Sequence, residues 1–228
     1  VSFPATARFF DKERVIVSGN PIRMQVLGGN ESEALEHFNL EVDVPVILVM
    51  TGSLGAEKVN EAVLDALPEL IAEYQIIHQT GDKNFKDVEG RARVVLENTY
   101  LKHRYHPFPF LDEGSLKNAG KVASLVVSRA GAGAIFEIAA WGLSSIIIPI
   151  QYSAQDHQRE NAYSYARYGA CEVLEESNLT PHILFAQVKK ILSNEEKKKT
   201  MSLAAKSFAR PDAADIIARE IIKLGIHD

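Results

Sequence analysis

Four short turns containing glycine, "GNPIR", "TGSLGA", "QTGDKN" and "SRAGAGA", each follow a brief run rich in apolar and β-branched residues. Runs of that length without polar alternation read as strands buried on both faces. After the turns the apolar spacing changes to a helical one, most clearly over Glu57–Tyr74 and Ala134–Ala140. Strand, turn and helix repeated along one chain define an α/β fold: a parallel sheet flanked by helices. In such a sheet the carboxyl ends of the strands share one edge, and ligands bind there. Convergence of the turns on that edge says more than any single turn, since glycine in one αβ connection serves tight geometry alone.

The stretch from Val122 to Ala162 is the most informative. Ala123–Ser128 reads as a strand, Arg129–Gly133 as a small-residue turn, Ala134–Ala140 as a helix ended by Gly142, and Ser145–Ile150 as a strand. A helix starting directly from a glycine turn exposes backbone N–H groups and the positive end of its dipole, which suits a phosphate. No Lys-Ser/Thr pair follows any of the glycines, so none is a P-loop, and "GAGAIF" lacks the last glycine of a dinucleotide fingerprint. The ligand expected is a nucleotide rather than a dinucleotide.

Other strands are expected at Arg14–Ser18, Val44–Met50, Gln75–Thr80, Tyr105–Phe110 and Cys171–Leu174. Helices are expected at Val88–Glu97, Ala154–Arg167, Pro181–Ser193, Glu195–Phe208 and Pro211–Leu224, with shorter ones inside Gly28–Asn39 and "LDEGSLKNAGKV". Pro211 falls at a favoured first-turn position. The formal charge of −5 gives no reason to expect nucleic acid as a partner. Cys171 is the only cysteine, which excludes an internal disulfide and fits a reducing compartment. No apolar run reaches the length of a membrane span. His103 and His106 stand three apart on an expected strand, so they point to opposite faces and make a poor metal pair. The opening at Val1, without methionine, reads as the later part of a longer protein.

In order, "GNPIR", "TGSLGA" with Asn60, "HQTG", "SRAGAGAIFEIAAWG", "IPIQYSAQDHQRENA" and "PDAADIIAREI" resemble the MurG family, over nearly the whole chain. That family transfers N-acetylglucosamine from UDP-N-acetylglucosamine to lipid I, with inversion, and so forms lipid II for peptidoglycan. The resemblance implies the C-terminal, donor-binding half of a GT-B glycosyltransferase, with a Rossmann-like sheet. Residues 1–18 would be a strand–helix–strand lead from an absent N-terminal half, 19–210 the UDP-sugar domain and 211–228 a C-terminal helix. The acceptor loops, the catalytic base and the membrane contact would lie in the absent half, so no catalytic residue is assigned here. A cytoplasmic enzyme, peripheral on the inner face of the bacterial membrane, is implied.

Carried over by position, the resemblance places Arg23 and Ser53 near the donor's phosphates or sugar and the backbone of Leu111 at the uracil edge. It sets Ala132, Gly133 and Ala134 at the diphosphate, Glu137 at the ribose hydroxyls, and His157 and Gln158 at the sugar, with Asn161 one turn on. Neither cofactor nor metal is implied, and no Asp-x-Asp segment is present to hold a cation. Two departures stand out: Thr51 where many members have glycine, and Ala130 where many have a hydroxyl. Plainer readings remain beside these. Glu137 and Arg23 each read as half of an ordinary ion pair, His157 as a surface residue, and His78 as a structural hydrogen-bonding group rather than a cleft residue. Transfer to another lipid acceptor, such as diacylglycerol or a dolichol-linked sugar, and a non-catalytic UDP-sugar-binding subunit are the alternatives.

Overall fold

A computed structural model of the chain describes residues 1–52, 56–151 and 156–225. Among them six strands form one parallel sheet: β1 (Val46–Met50), β2 (Gln75–Gln79), β3 (Tyr105–Phe108), β4 (Ala123–Arg129), β5 (Ser145–Ile148) and β6 (Cys171–Val173). Their order is β3-β2-β1-β4-β5-β6. The helices are α1 (Glu31–His37), α2 (Glu57–Glu73), α3 (Phe85–Val95), α4 (Glu113–Val122), α5 (Ala132–Trp141), α6 (His157–Ala166), α7 (Pro181–Leu192), α8 (Glu195–Phe208) and α9 (Ala213–Gly225).

Every residue of β1, β2 and β5 is buried, as expected for strands covered on both faces. Alternation splits their side chains into two cores. Leu48, Met50, Ile77 and Val126 face Leu116 of α4, Phe136 of α5 and Phe208 of α8. Ile47, Val49, Ile76 and Val127 face Leu67 of α2, Ala92 of α3 and Leu184 of α7. Pro68 stands inside α2 without ending it. Its missing N–H and its ring cost about 3 kcal/mol. Leu64, Leu67, Leu70 and Ile71 are buried around it, and each such side chain contributes about 1.5–3 kcal/mol. Packing therefore outweighs propensity.

The strand order reverses between β1 and β4, where Met50 is level with Ser128. That reversal opens a crevice beyond the carboxyl ends of these two central strands. The first core also takes in the chain's opening. Phe3 is buried, with its ring 5.3 Å from that of Phe136 and 6.0 Å from that of Phe208.

Three expectations differ from what is found. Arg14–Ser18 joins no strand of the sheet. Lys12–Arg14 is a 3-10 turn, Ile16 and Ser18 after it bond to Val1 rather than to a strand of the sheet, and Ile16 and Val17 are 41% and 40% exposed. Pro211 lies in the turn before α9, because Asp212 accepts the first helical bond, from Ile216 at 3.0 Å. His103 sits in the 3-10 turn Tyr100–Arg104 rather than on the strand with His106, and its Nε2 lies 2.7 Å from Glu41. The expected start of α6, at Ala154, lies outside the described residues.

Candidate active site

The crevice at the switch point is a cleft of about 590 Å³. The turn between β4 and α5 forms one wall. Gly131 is the N-cap of α5, with no side-chain capping bond, and the first helical bond runs from Ile135 N–H to Gly131 at 3.0 Å. The N–H groups of Ala132, Gly133 and Ala134 therefore have no acceptor within the helix. Gly131 has an ordinary φ of −65°. A Cβ added at Gly131 or Gly133 would meet no described atom within 4 Å. Neither a left-handed backbone nor close packing calls for glycine there. What the missing side chains provide is room in front of the N–H groups.

One turn into α5, Glu137 enters the same cleft from the helix face, its side chain 7% exposed. Arg23, arriving from a loop far away in sequence, grips it in a two-pronged ion pair. Arg23 Nε donates to Glu137 Oε1 at 2.8 Å and Nη2 to Oε2 at 3.0 Å. The hydrogen bond to Glu137 raises the pKa of Arg23 above its ordinary value. Both plainer readings are thus fulfilled, by one and the same pair, and the pair stands in the cleft.

Leu111 lines the opposite wall beside Phe110 and Leu116. Its backbone N–H donates to Gln79 Oε1 at 3.1 Å. Gln158, on the first turn of α6, also lines the cleft and accepts from Ile150 N–H at 3.3 Å. Asn161, one turn further, donates from Nδ2 to the carbonyl of Ala130 at 3.1 Å and so ties α6 to the β4–α5 turn. The structure thus gathers Arg23, Leu111, Gly133, Ala134, Glu137 and Gln158 around one cleft, with Ala132 beginning the helix that borders it. His157 is exposed and is not among the cleft's lining residues. Ser53 lies outside the described residues. Thr51, buried, donates its hydroxyl to the carbonyl of Gln79 at 2.6 Å.

His78 is a structural residue. It is fully buried, with Nδ1 2.9 Å from the Tyr105 hydroxyl and Nε2 3.0 Å from Asn60 Oδ1. Asn60 Nδ2 donates to the Thr80 carbonyl at 3.0 Å, which leaves Oδ1 as acceptor and puts the imidazole proton on Nε2. Burial lowers the His78 pKa to about 3, so the ring is neutral at physiological pH. A sealed imidazole with both nitrogens engaged takes no proton from a substrate.

Reading the sequence missed Gln79 and Arg129 as lining residues, although both lie inside quoted motifs. The only signal was their position at strand ends. A second cleft of about 550 Å³ lies beside β3, lined by Glu89, Ala92, Val94, Leu96 and Tyr105 among others. Its wall is made by the later turns of α3, not by the start of an α-helix among the described residues. No group of His, Cys, Asp and Glu among the described residues is arranged to hold a metal ion. No helix among them is long and apolar enough to cross a membrane.

An open parallel sheet with an uncapped helix start at its switch point defines the class: a Rossmann-like α/β domain of the GT-B glycosyltransferase kind. The model of the glycosyltransferase family 28 C-terminal domain matches residues 46–217. The chain belongs to that family. It is 36% identical over 220 residues, 95% of its length, to the UDP-N-acetylglucosamine--N-acetylmuramyl-(pentapeptide) pyrophosphoryl-undecaprenol N-acetylglucosamine transferase of Thermodesulfovibrio yellowstonii. It is 36% identical over 222 residues, 97% of its length, to a transferase of the same name, numbered 2, from Bacillus thuringiensis subsp. konkukian. The chain spans 58% and 59% of the length of these relatives. The crystal structure of Acinetobacter baumannii MurG superposes with a TM-score of 0.74 at 26% identity, covering 97% of this chain and 59% of that one.

Proposed function

We propose that the cleft binds UDP-N-acetylglucosamine and that this chain is the donor-binding part of a transferase acting on lipid I. The observation that carries the reading is the open space before Gly131 and Gly133, kept by glycines that backbone geometry does not require. A diphosphate fits that space, where three N–H groups and the α5 dipole oppose its charge. The same groups stabilise the UDP leaving group as the glycosidic bond to it breaks, which is electrostatic catalysis by preorganised donors.

The Arg23–Glu137 pair is compatible with a ribose role. A carboxylate offers about four lone-pair positions, and Arg23 takes one on each oxygen. The remaining positions accept from the two vicinal hydroxyls, while Arg23 keeps the carboxylate in register and adds positive charge beside the phosphates. Since the Leu111 N–H is given to Gln79, the uracil edge is read by the Leu111 carbonyl, which accepts from the base N–H. Gln158 meets the sugar with an amide that both donates and accepts, and Ser53 and His157 belong to the same end by resemblance.

The base that takes the proton of the attacking hydroxyl, the lipid I site and the contact with the inner face of the membrane belong to the part of the relatives this chain does not span. Residues 19–210 then form the donor domain, with 1–18 leading in and the segment from 211 onward, which carries α9, closing it. Calorimetric titration with UDP, GDP and ADP tests the reading. UDP is expected to bind most tightly; equal affinity for all three, or none for UDP with the fold intact, would refute it. With labelled UDP-N-acetylglucosamine and a soluble lipid I analogue, this chain alone is expected to show no transfer, because half a cleft cannot align acceptor, base and anomeric carbon.

A further inference from the structure

Glu176 lies in a short 3-10 turn after β6, outside every motif described above. Its side chain is 7% exposed. Oε1 accepts from Arg129 Nη2 at 2.5 Å. Oε2 accepts from Gln151 N–H at 3.3 Å and lies 3.6 Å from Lys58 Nζ. Arg129 ends β4 and precedes the Gly131 turn, Lys58 is the second residue of α2, and Gln151 follows β5. One buried carboxylate thereby joins the segments that leave β1, β4 and β5, three of those framing the cleft. Arg129 adds a fourth tie, from Nη1 to the Ile148 carbonyl at 3.3 Å. The neighbouring Glu175 holds α6, the helix of Gln158, through Arg159 Nε at 2.9 Å and the Tyr163 hydroxyl at 2.7 Å.

A fold seeking stability alone has little use for this arrangement. Burying a carboxylate costs several kcal/mol, and apolar packing often serves as well or better. Burial pushes the Glu176 pKa up, yet the Arg129 hydrogen bond and charge, the Gln151 N–H and Lys58 together bring it below the usual carboxylate range. The group stays ionised and its partners stay in place. Arg129, a cation that lines the cleft, is thus balanced by Glu176 and held as part of the frame, with Lys58 3.6 Å from the same carboxylate.

We infer that Glu176 is a positioning residue for the diphosphate end of the cleft, holding the β4–α5 turn in register with the segments after β1 and β5. The inference rests on the UDP reading above. Its test compares the parent chain with Glu176→Gln, which keeps shape and one acceptor oxygen, and with Glu176→Ala. UDP and uridine are titrated against each, and amide hydrogen exchange is followed in parallel. Glu176→Gln is expected to weaken UDP about tenfold while uridine changes by less than about twofold, with Glu176→Ala larger in the same sense. Exchange should quicken at residues 130–134 and 150–151 and stay unchanged at β2 and β3. Equal losses for UDP and uridine, accompanied by faster exchange throughout, would mean general destabilisation and overturn the inference. Unchanged UDP affinity in both variants would do the same. Should the parent itself fail to bind UDP, the functional reading falls, and exchange alone decides: faster exchange confined to those turns upholds the positioning role, and none overturns it.

Discussion

Two clefts of nearly equal volume differ in everything that makes a site. The one at the switch point, about 590 Å³, is walled by an uncapped helix start, a part-buried ion pair and segments from several strands. The one beside β3, about 550 Å³, is walled by α3, the 3-10 turn after it and the edge strand. Behind its wall the polar groups are turned inward: Tyr105 gives its hydroxyl to His78, and His78 is closed off by Asn60. Volume does not distinguish the two. The difference lies in the helix start: α5 turns N–H groups that have no acceptor within the helix toward the first cleft. The second is lined instead by the side chains of α3, the turn after it and β3, charged ones such as Glu89, Arg93, Glu97 and Lys102 among them.

Acid should break the comparison most sharply, by unsettling the β3 side. Burial lowers the pKa of His78 to about 3 and that of His106 to about 4. In the unfolded chain both would titrate near 6.5. Between these values the unfolded state binds more protons, so stability is complete above about pH 6.5 and falls as pH drops below it. Each histidine accounts for a loss of about 2 kcal/mol between pH 7 and pH 5. Urea titrations at the two pH values measure it, and His106→Gln should halve the loss. A flat profile would show that these rings are not held neutral.

On the other side, Glu137→Ala should weaken UDP by about 1.5–3 kcal/mol, the worth of hydrogen bonds to a charged group. A 2′,3′-dideoxy analogue should then lose little more, since the hydroxyls have already lost their acceptor. Parent-like affinity in titration would confine the Arg23–Glu137 pair to a structural part. A smaller effect separates stability from binding within one residue. Gly133→Ala should raise stability by up to about 1 kcal/mol through helix propensity and yet weaken UDP, because a methyl group enters the open space proposed for the diphosphate. Denaturation and calorimetry on the same sample decide; a rise in both would mean the space is not a ligand's. Smallest of all, Val94→Ser in the β3 cleft should leave UDP affinity within about 0.5 kcal/mol of the parent, and a larger change would mean that the two clefts communicate.

Much of this was legible in the chain. Buried runs such as "VPVILVM" and the change of period after each turn give the sheet, and the strand ends give the edge where the cleft lies. Arg14–Ser18 misled because β-branched residues satisfy a strand pattern whether or not a neighbouring strand exists to pair with them. Arg23 and Glu137 could each be singled out, but not their bond, which spans 114 residues of sequence. Glu176 gave no signal, since an acidic residue in a turn looks the same whether it faces water or joins three segments. Local pattern fixes elements; pairings between distant side chains exist only once the elements are packed.

The Phe3 ring has a consequence for where this unit can be cut. It shares a cluster of edge-on and tilted rings with Phe136, whose next neighbour along α5 is Glu137, and with Phe208 at the far end of α8. A protein trimmed to begin at Gly19 would lose not a tail but one ring of the core, a removal that typically costs about 3–5 kcal/mol when made by Phe→Ala substitution. The void would open against α5, the helix that carries Glu137. Any excised form of this α/β unit therefore has to carry residues 1–18 with it, as a wedge that keeps α5 seated.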